Sequence, residues 1–436
     1  MKEIDHNILR LALPSIVSNI TVPLLGLCDV AIMGHVGGAR HIGAIAVGSM
    51  IFNVMYWLFV FLRMSTSGLT AQAYGAGRWN TTRHIRRRHL TMALCFGGAI
   101  IVLQEPLRLL TFWLLQAEGD VATLCTPYYY ICVWGAPAVL GLYVVTGWLV
   151  GMQNSRLPMV IAIGQNIVNI ATSLVLVLVF DLGIVGVAIG TLVAQWVGFL
   201  VALVLAKRLR TNKASETSRT SKTSRPSKTS RTSETYETSK NSGAFFLFLR
   251  TVCLVSVNMY FTSAGSAQGA QILAANTLLM QFFTIYSYMT DGFANAGEAL
   301  AGRYVGANDT AMLKLTVRHL FLWGFAMALL FTAIYAIGGN TVLSLLTTDS
   351  EVIATAHHYL PWAICIPFAG MAAFVWDGIF IGMTRAKGML MACFVAAIVF
   401  FALWLWLSPT LHNDALWLAF LAFLATRGLV QTIEAL

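Results

Sequence analysis

Long apolar stretches separated by short polar loops run along the whole chain of 436 residues. A helix needs about 20 mainly apolar residues to cross a bilayer, and windows of that length identify twelve candidate spans. They lie at residues 8–34, 42–73, 90–114, 125–150, 158–180, 184–206, 245–265, 271–300, 316–338, 355–382, 389–408 and 414–433. Because so few residues remain between them, the chain has no room for a soluble catalytic domain. The pattern therefore predicts an all-α membrane protein with twelve transmembrane helices.

Composition and charge distribution agree with this prediction. Hydrophobic residues make up 58% of the chain and charged residues 11%, whereas soluble domains average about 25% charged residues. The formal net charge is +10, and the Lys and Arg residues concentrate in the loops that follow even-numbered spans. Basic loops stay in the cytoplasm, so both termini are predicted to be cytoplasmic. The positive charge thus indicates membrane topology, and no nucleic-acid partner is predicted.

Residues 211–242 separate two halves of six spans each. This segment is rich in Ser, Thr, Lys and Arg and contains almost no apolar residue, so it cannot bury enough surface to offset the entropy of ordering. We predict a disordered cytoplasmic linker here. It would connect an N-lobe at 1–210, with helices 1 to 6, to a C-lobe at 243–436, with helices 7 to 12.

The two predicted lobes repeat each other at a spacing of 231 residues. At this spacing Gly75 aligns with Gly306, and Gly151 aligns with Gly382. Because six spans is an even number, both lobes begin on the same side of the membrane, and the repeat is parallel about an axis along the membrane normal. Transporters built in this way hold their site between the halves and rock to alternate access.

One acidic residue is embedded in the first span. Asp29 is the only charged residue between Leu11 and Gly34, and an ionised Asp near the bilayer centre costs roughly 2.5–3.5 kcal/mol on insertion scales. A chain that keeps an acid there commonly uses it to bind a proton, an ion or a charged substrate. Asp29 is therefore the first candidate functional residue. The alternative is an acid near a helix end, within reach of lipid headgroups or of a basic partner.

The second half contains its own embedded acids. Asp291, Asn295 and Glu298 have i, i+4, i+7 spacing and therefore share one face of a helix. Asp377 stands without a charged neighbour in the tenth span. Polar faces of membrane helices turn toward the protein interior or a water-filled cavity. We favour a functional cavity here; interhelical hydrogen bonding is the alternative.

The fifth span carries a third polar face, formed by Asn166, Asn169 and Ser173 at i, i+3, i+7. Amide groups can hydrogen-bond a carboxyl group in either protonation state, so these residues could assist an acid on a neighbouring helix. Hydrogen bonding between helices explains the same pattern equally well.

Several functional classes lack supporting motifs in this sequence. It contains no GxxxxGK[ST] loop for ATP, no HExxH pair and no recognisable Ser-His-Asp set. The seven cysteines form no CxxC pair, so metal and disulfide chemistry are not supported. We predict no cofactor and no enzymatic activity.

Four long motifs carry a resemblance to a known family. They read LALPSIVSNITVPLLGLCDVAIMGHVG, FLRMSTSGLTAQAYGAG, NTLLMQFFTIYSYMTDGFANAGEALAGRYVGA and DGIFIGMTRAKGM. The first resembles the first helix of multidrug and toxic compound extrusion (MATE) transporters, and the others are similar to the DinF (DNA-damage-inducible) branch. The resemblance covers nearly the whole chain outside 211–242.

The resemblance implies two pseudo-symmetric six-helix lobes around a central cavity. It implies export of amphiphilic, often cationic compounds against inward flow of protons or sodium ions. Asp29 matches the family's first-helix acid, and Asn166 and Asn169 match polar residues of its fifth helix. The family often has a second acid where this chain has Ser173, and Asp377 resembles a tenth-helix acid that some members use for cations.

We therefore expect a proton-coupled antiporter of the bacterial plasma (inner) membrane that acts as a monomer on small amphiphilic cations. A sodium-coupled antiporter, with a sodium ion near Asp377, and a flippase for lipid-linked precursors are the alternatives. The expected coupling residues are Asp29, Asn166, Asn169, Ser173, Asp291, Glu298 and Asp377. The expected substrate-cavity residues are Asp29, Met33, Arg63, Arg250, Tyr288, Met289 and Asn295.

Overall fold

The structure is a computed structural model that describes the backbone of residues 2–36, 38–114, 119–220, 233–347 and 349–435. Side chains are described for residues 3–21, 32, 43–114, 122–209, 243–347 and 349–435. Across this part of the chain the regular structure is helical. The helices are α1 (Lys2–Val36), α2 (Gly38–Trp57), α3 (Phe61–Gly75), α4 (Trp79–Val102), α5 (Gln104–Leu114), α6 (Gly119–Cys132), α7 (Ala136–Gly151), α8 (Arg156–Leu178), α9 (Gly183–Thr220), α10 (Ser233–Ala267), α11 (Ala270–Gly306), α12 (Thr310–Leu346), α13 (Ser350–Gly382) and α14 (Ala386–Ala435).

Most of these helices are long and apolar enough to cross a membrane. Among the described residues nine stretches meet this criterion, or ten if α4 and α5, which are bent by 74° at their junction, form one span. His412 has non-helical backbone angles (φ 48°, ψ −118°) and divides α14 into two arms. Helix α1 in addition extends over the whole first predicted span. The prediction of an all-α protein with two halves of six spans is thereby confirmed.

Unusual backbone angles repeat between the halves at the spacing of 231 residues seen in the sequence. Positive φ angles are unfavourable for residues other than glycine, so their recurrence at matched positions shows that the halves are structural repeats. The matched pairs are Gly77 (φ 69°) and Asn308 (φ 56°), Gln153 (φ 63°) and Thr384 (φ 57°), and Asp181 (φ 52°) and His412 (φ 48°).

In the first half, two glycines bring α7 into backbone contact with α3. A Cβ atom placed on Gly147 would lie 2.4 Å from the carbonyl oxygen of Arg63. One placed on Gly151 would lie 2.6 Å from the carbonyl oxygen of Ser67. Both distances are too short for any side chain. The two glycines are four residues apart and form the small-xxx-small pattern of close helix pairs in membranes.

The second half repeats this contact between α13 and α11. A Cβ atom on Gly378 would lie 2.1 Å from the carbonyl oxygen of Ala294, and one on Gly382 would lie 2.5 Å from that of Glu298. All four residues stand 231 positions after their counterparts in α7 and α3. The packing contact, and not only the chain path, is therefore duplicated.

Contacts divide the chain into two compact units, one of Met1–Ile16 with Ser242–Leu436 and one of Val17–Asn241. The first turns of α1 thus group with the second half, whereas the predicted division placed them in the N-lobe. A polar contact holds them there: Asp5 Oδ1 lies 2.8 Å from His319 Nδ1 and accepts a hydrogen bond from Trp323 Nε1 at 3.1 Å. The hydrogen bond with His319 lowers the pKa of Asp5.

Helices on both sides of the predicted linker are longer than expected. Helix α9 continues to Thr220 and α10 begins at Ser233, so part of 211–242 is helical where we predicted disorder. Residues 221–232 lie outside the described part of the chain. Extending an existing helix adds one hydrogen bond per residue without a new nucleation cost. Amino-acid composition alone does not reflect this effect of a neighbouring helix.

Gly378→Ala should destabilise the protein by about 1–3 kcal/mol, the usual range for overpacking, because its Cβ would meet a backbone oxygen of α11. Gly338→Ala in α12 is the matched control. Nothing lies within 4 Å of its added Cβ, and alanine is the better helix former. Thermal unfolding in detergent measures both variants. Equal melting temperatures for Gly378→Ala and the wild type would contradict the close approach of α13 and α11.

Asp5→Asn should lower the melting temperature at neutral pH, because the carboxylate accepts hydrogen bonds from α12. Since the pKa of Asp5 is lowered from its ordinary value of 3.8, its contribution to stability is complete above that value and is lost as the pH falls below it. The difference between variant and wild type should therefore shrink in acid. Exposed Glu3 provides the control Glu3→Gln. A difference that stays constant down to pH values below 3.8 would argue against this role.

Candidate functional site

Two residues of the predicted site, Asp29 and Met33, lie outside the residues whose side chains the structure describes. Their backbone belongs to α1. The role of Asp29 as a titrating acid and the place of Met33 in a cavity therefore stay predictions from the sequence.

The amides of α8 contact two neighbouring helices. Asn166 donates a hydrogen bond from Nδ2 to the carbonyl oxygen of Thr21 in α1, at 2.9 Å. Asn169, which is only 1% exposed, donates from Nδ2 to Thr191 Oγ1 in α9, at 3.0 Å. Thr21 precedes Asp29 by about two helical turns. Asn166 thus holds the segment of α1 that leads to the embedded acid.

Ser173 of α8 packs directly against Gly190 of α9. It is fully buried, and a Cβ atom placed on Gly190 would lie 2.2 Å from Ser173 Oγ. A longer acidic side chain at position 173 would therefore require the two helices to separate. A small residue at position 173 therefore fits the packing of α8 against α9.

In the second half, four polar side chains from three helices meet in what we term the Asp377 cluster: Arg250 of α10, Asp377 of α13, and Arg427 and Gln431 of α14. Arg250 and Arg427 both donate from Nη2 to Asp377 Oδ2, the bond from Arg427 being 2.6 Å long. Gln431 donates from Nε2 to Asp377 Oδ1, at 2.8 Å. Both carboxylate oxygens are therefore occupied by donors of this chain.

The Asp377 cluster is buried and carries more positive than negative charge. Arg250 and Arg427 are each 4% exposed, and Asp377 is 8% exposed. Two guanidinium groups against one carboxylate leave one formal positive charge. Asp291 of α11 lies within electrostatic range of Arg250 and offsets part of it. Because isolated charges are costly in a low-dielectric interior, these groups must be kept together.

The remaining predicted residues lie on the two close-packed helix pairs. Glu298 is buried, 1% exposed, at the point where Gly382 of α13 approaches the backbone of α11. Half-buried positions are taken by Arg63 on α3 and by Tyr288, Met289, Asp291 and Asn295 on α11. Of the predicted site residues with described side chains, Arg250 and Asp377 are brought into direct contact with each other.

Arg427 and Gln431 were not among the residues predicted from the sequence. The signal was present: Arg427 is a charged residue inside the apolar span at 414–433, with Gln431 one helical turn later. The rule that an intramembrane charge marks a functional or paired site applies to it as it does to Asp377. Its partner lies 50 residues earlier in the chain and could not be identified from spacing.

An open pocket of about 430 Å³ lies between the start of α11, the end of α12 and the start of α13. Its polar lining includes Asp349, whose Oδ1 accepts hydrogen bonds from the backbone N–H groups of Glu351 and Val352 and caps α13. No predicted site residue with a described side chain lines this pocket. We therefore assign it no role in transport.

Comparison with known proteins gives matches over nearly the whole chain. The MatE family profile matches residues 14–175 and 247–406, once in each half. DNA damage-inducible protein F of Escherichia coli (strain K12) is 35% identical over 98% of this chain and 90% of its own length. The Vibrio cholerae MATE transporter VcmN in the bent form has a TM-score of 0.82 at 18% identity, covering 99% of this chain and 96% of that one. A multidrug resistance MATE family transporter of the MOP superfamily, in the outward-facing conformation, has a TM-score of 0.79 at 18% identity, covering 98% and 94%.

The duplicated helical architecture and these matches define a multi-pass membrane protein of the transporter class. The chain belongs to the MatE family, and its similarity to DNA damage-inducible protein F places it in the DinF branch of the MATE transporters.

Asp377→Asn should destabilise the protein by about 3–5 kcal/mol, the usual cost of leaving buried charges without their partner. Adding Arg427→Met should restore part of the stability, because it removes one of the two stranded cations. Asp181→Asn, at an exposed loop position, is the control. Thermal unfolding in detergent measures all three variants. An Asp377→Asn protein as stable as the control would refute the pairing.

Proposed function

We propose that this protein is a secondary active antiporter that exports amphiphilic, cationic compounds in exchange for protons. The observation that carries the proposal is the pairing of Asp377, whose carboxylate is already bound by Arg250 and Arg427. Asp29 is the only charged residue between Leu11 and Gly34, and it matches the first-helix acid of the family that the sequence resembles. Asp29 is therefore the acid that we assign to the exchange of a proton for a cationic substrate. Membership in the MatE family supports transport, and one structural relative is described as a multidrug resistance transporter.

The exchange follows from one charge that two ligands compete for. When Asp29 is open to the outside it takes a proton, the site becomes neutral, and a cationic substrate leaves. When it is open to the cytoplasm it loses the proton and regains the negative charge that attracts the next cation. Each ligand shifts the two conformations only by its difference in affinity for them. The membrane potential contributes roughly 2.3 kcal/mol per charge per 100 mV.

The setting that we propose is the bacterial inner membrane, with both termini in the cytoplasm and a monomer as the working unit. The basic loops after even-numbered spans support this orientation. Asn166, through its bond to the backbone of α1, would keep the Asp29 segment in place while the charge of the acid changes.

The two alternative functions, sodium-coupled antiport and lipid-precursor flipping, would each require the ion pairs of the Asp377 cluster to change. Coupling to sodium through Asp291, Glu298 and Asp377 would require the Asp377 carboxylate to leave its two arginines. A flippase for lipid-linked precursors would require free cationic groups for a diphosphate, and both Arg250 and Arg427 are engaged by Asp377. Proton coupling at Asp29 requires neither change, so we prefer it.

Ethidium efflux from everted membrane vesicles tests the proposal. Under a pH gradient, Asp29→Asn should reduce efflux by about tenfold or more, since a loss of ~1.4 kcal/mol of differential affinity already costs a factor of ten. Asp181→Asn should leave efflux unchanged. Efflux by Asp29→Asn at the wild-type rate would contradict proton coupling through Asp29. Efflux that follows a sodium gradient at fixed pH, and not a pH gradient, would favour the sodium-coupled alternative.

A further inference from the structure

We propose that Arg250 and Arg427 act as built-in cations at Asp377: they fill the place that a coupling cation would take and make this half of the transporter insensitive to sodium. This inference rests on the proposed antiport function and names the residues that would decide its ion specificity. It assigns a role to Arg427 and Gln431, which the proposed transport cycle itself does not use.

Both carboxylate oxygens of Asp377 already accept hydrogen bonds from side chains in the described part of the chain, and Oδ2 accepts two. Both arginines donate to Oδ2, and Gln431 donates to Oδ1. Hard cations such as sodium are bound through oxygen ligands, and the oxygens here already accept charge-assisted or amide hydrogen bonds. An ion that binds Oδ2 would have to displace a guanidinium group that is tethered to the chain and cannot diffuse away.

The net charge of the Asp377 cluster also disfavours binding of a sodium ion. The cluster already holds two cations against one carboxylate, so a sodium ion would raise its formal charge from one to two. Asp291, within electrostatic range of Arg250, offsets only part of this. Because the arginines are buried at 4% exposure, water screens the added repulsion little.

The cluster also holds one unused ligand. Gln431 is fully buried, and its Oε1 atom accepts no hydrogen bond from the residues that the structure describes. It lies one helical turn after Arg427 on α14, on the same face of the helix. Removing the Arg427 guanidinium would therefore leave Asp377 Oδ2 with one donor fewer, in a cluster that also holds a desolvated amide oxygen. These are two of the oxygen ligands that a sodium ion requires.

Purified protein in detergent provides a test that does not depend on transport. Thermal unfolding is measured over a titration of sodium chloride, with choline chloride keeping the ionic strength constant. We expect no sodium-specific change in the melting temperature of the wild type. Arg427→Met should show a saturable rise in melting temperature with sodium. Arg427→Lys keeps the positive charge and should not respond.

The double variant Arg427→Met with Asp377→Asn removes the anionic ligand as well, and it too should not respond. If Arg427→Met does not yield folded protein, Arg250→Met replaces it, since that change also removes one of the two donors to Oδ2. A saturable sodium response in the wild type would overturn the proposal. So would an Arg→Met variant that folds and unfolds at the same temperature in sodium and in choline.

This measurement is separable from the test of the proposed function. Suppose that efflux does not depend on the pH gradient and that sodium does not change the melting temperature of the wild type. Proton coupling would then be refuted, and the role of the two arginines as built-in cations would still be supported. If a pH gradient drives efflux by the wild type but sodium raises its melting temperature, the proposed function is supported and the role of the two arginines as built-in cations is refuted.

Discussion

The fold depends on close helix contacts in which only glycine fits, and one such contact occurs in both halves. Gly147 and Gly151 allow this contact in the first half, and Gly378 and Gly382 allow it in the second. In a bilayer, helices associate through close packing and interhelical hydrogen bonds, because lipid provides no hydrophobic drive between them. These backbone contacts therefore determine where the neighbouring side chains stand. Asp377 directly precedes one of the four glycines, so its place on α13 follows from the same contact.

The second constraint is electrostatic. A helix that carries an acid through an apolar medium must either neutralise it or compensate it with a charge of opposite sign. The chain uses compensation at Asp377, where arginines from α10 and α14 reach the carboxylate of α13. This arrangement links three helices of the second half through one side chain. In the first half, buried polar contacts such as that of Asn169 with Thr191 join helices without ionised groups.

The helical spans and the internal repeat could be predicted from the sequence, because span length and glycine positions are local properties of the chain. The sequence was also sufficient to single out Asp377 and Arg250. It could not pair them, since the two residues are 127 positions apart and their meeting depends on how three helices pack. The contact between Asp5 and His319 spans 314 positions, so spacing along the chain could not indicate that the first turns of α1 pack with the second half. The side-chain environment of Asp29 remains a prediction from the sequence.

The duplication has a consequence for how the two halves came to differ. At the shared spacing, Thr146 stands where the second half has Asp377, and Ser67 stands where it has Glu298. Gly147 and Gly378 directly follow the first pair of positions, and Gly151 and Gly382 approach the backbone of the second pair. The positive-φ residues that follow the helices also recur in both copies. The packing positions are thus the same in both halves, while the polar positions differ. The first half builds the same close helix pair with neutral hydroxyls, so this backbone contact does not itself require an ion cluster.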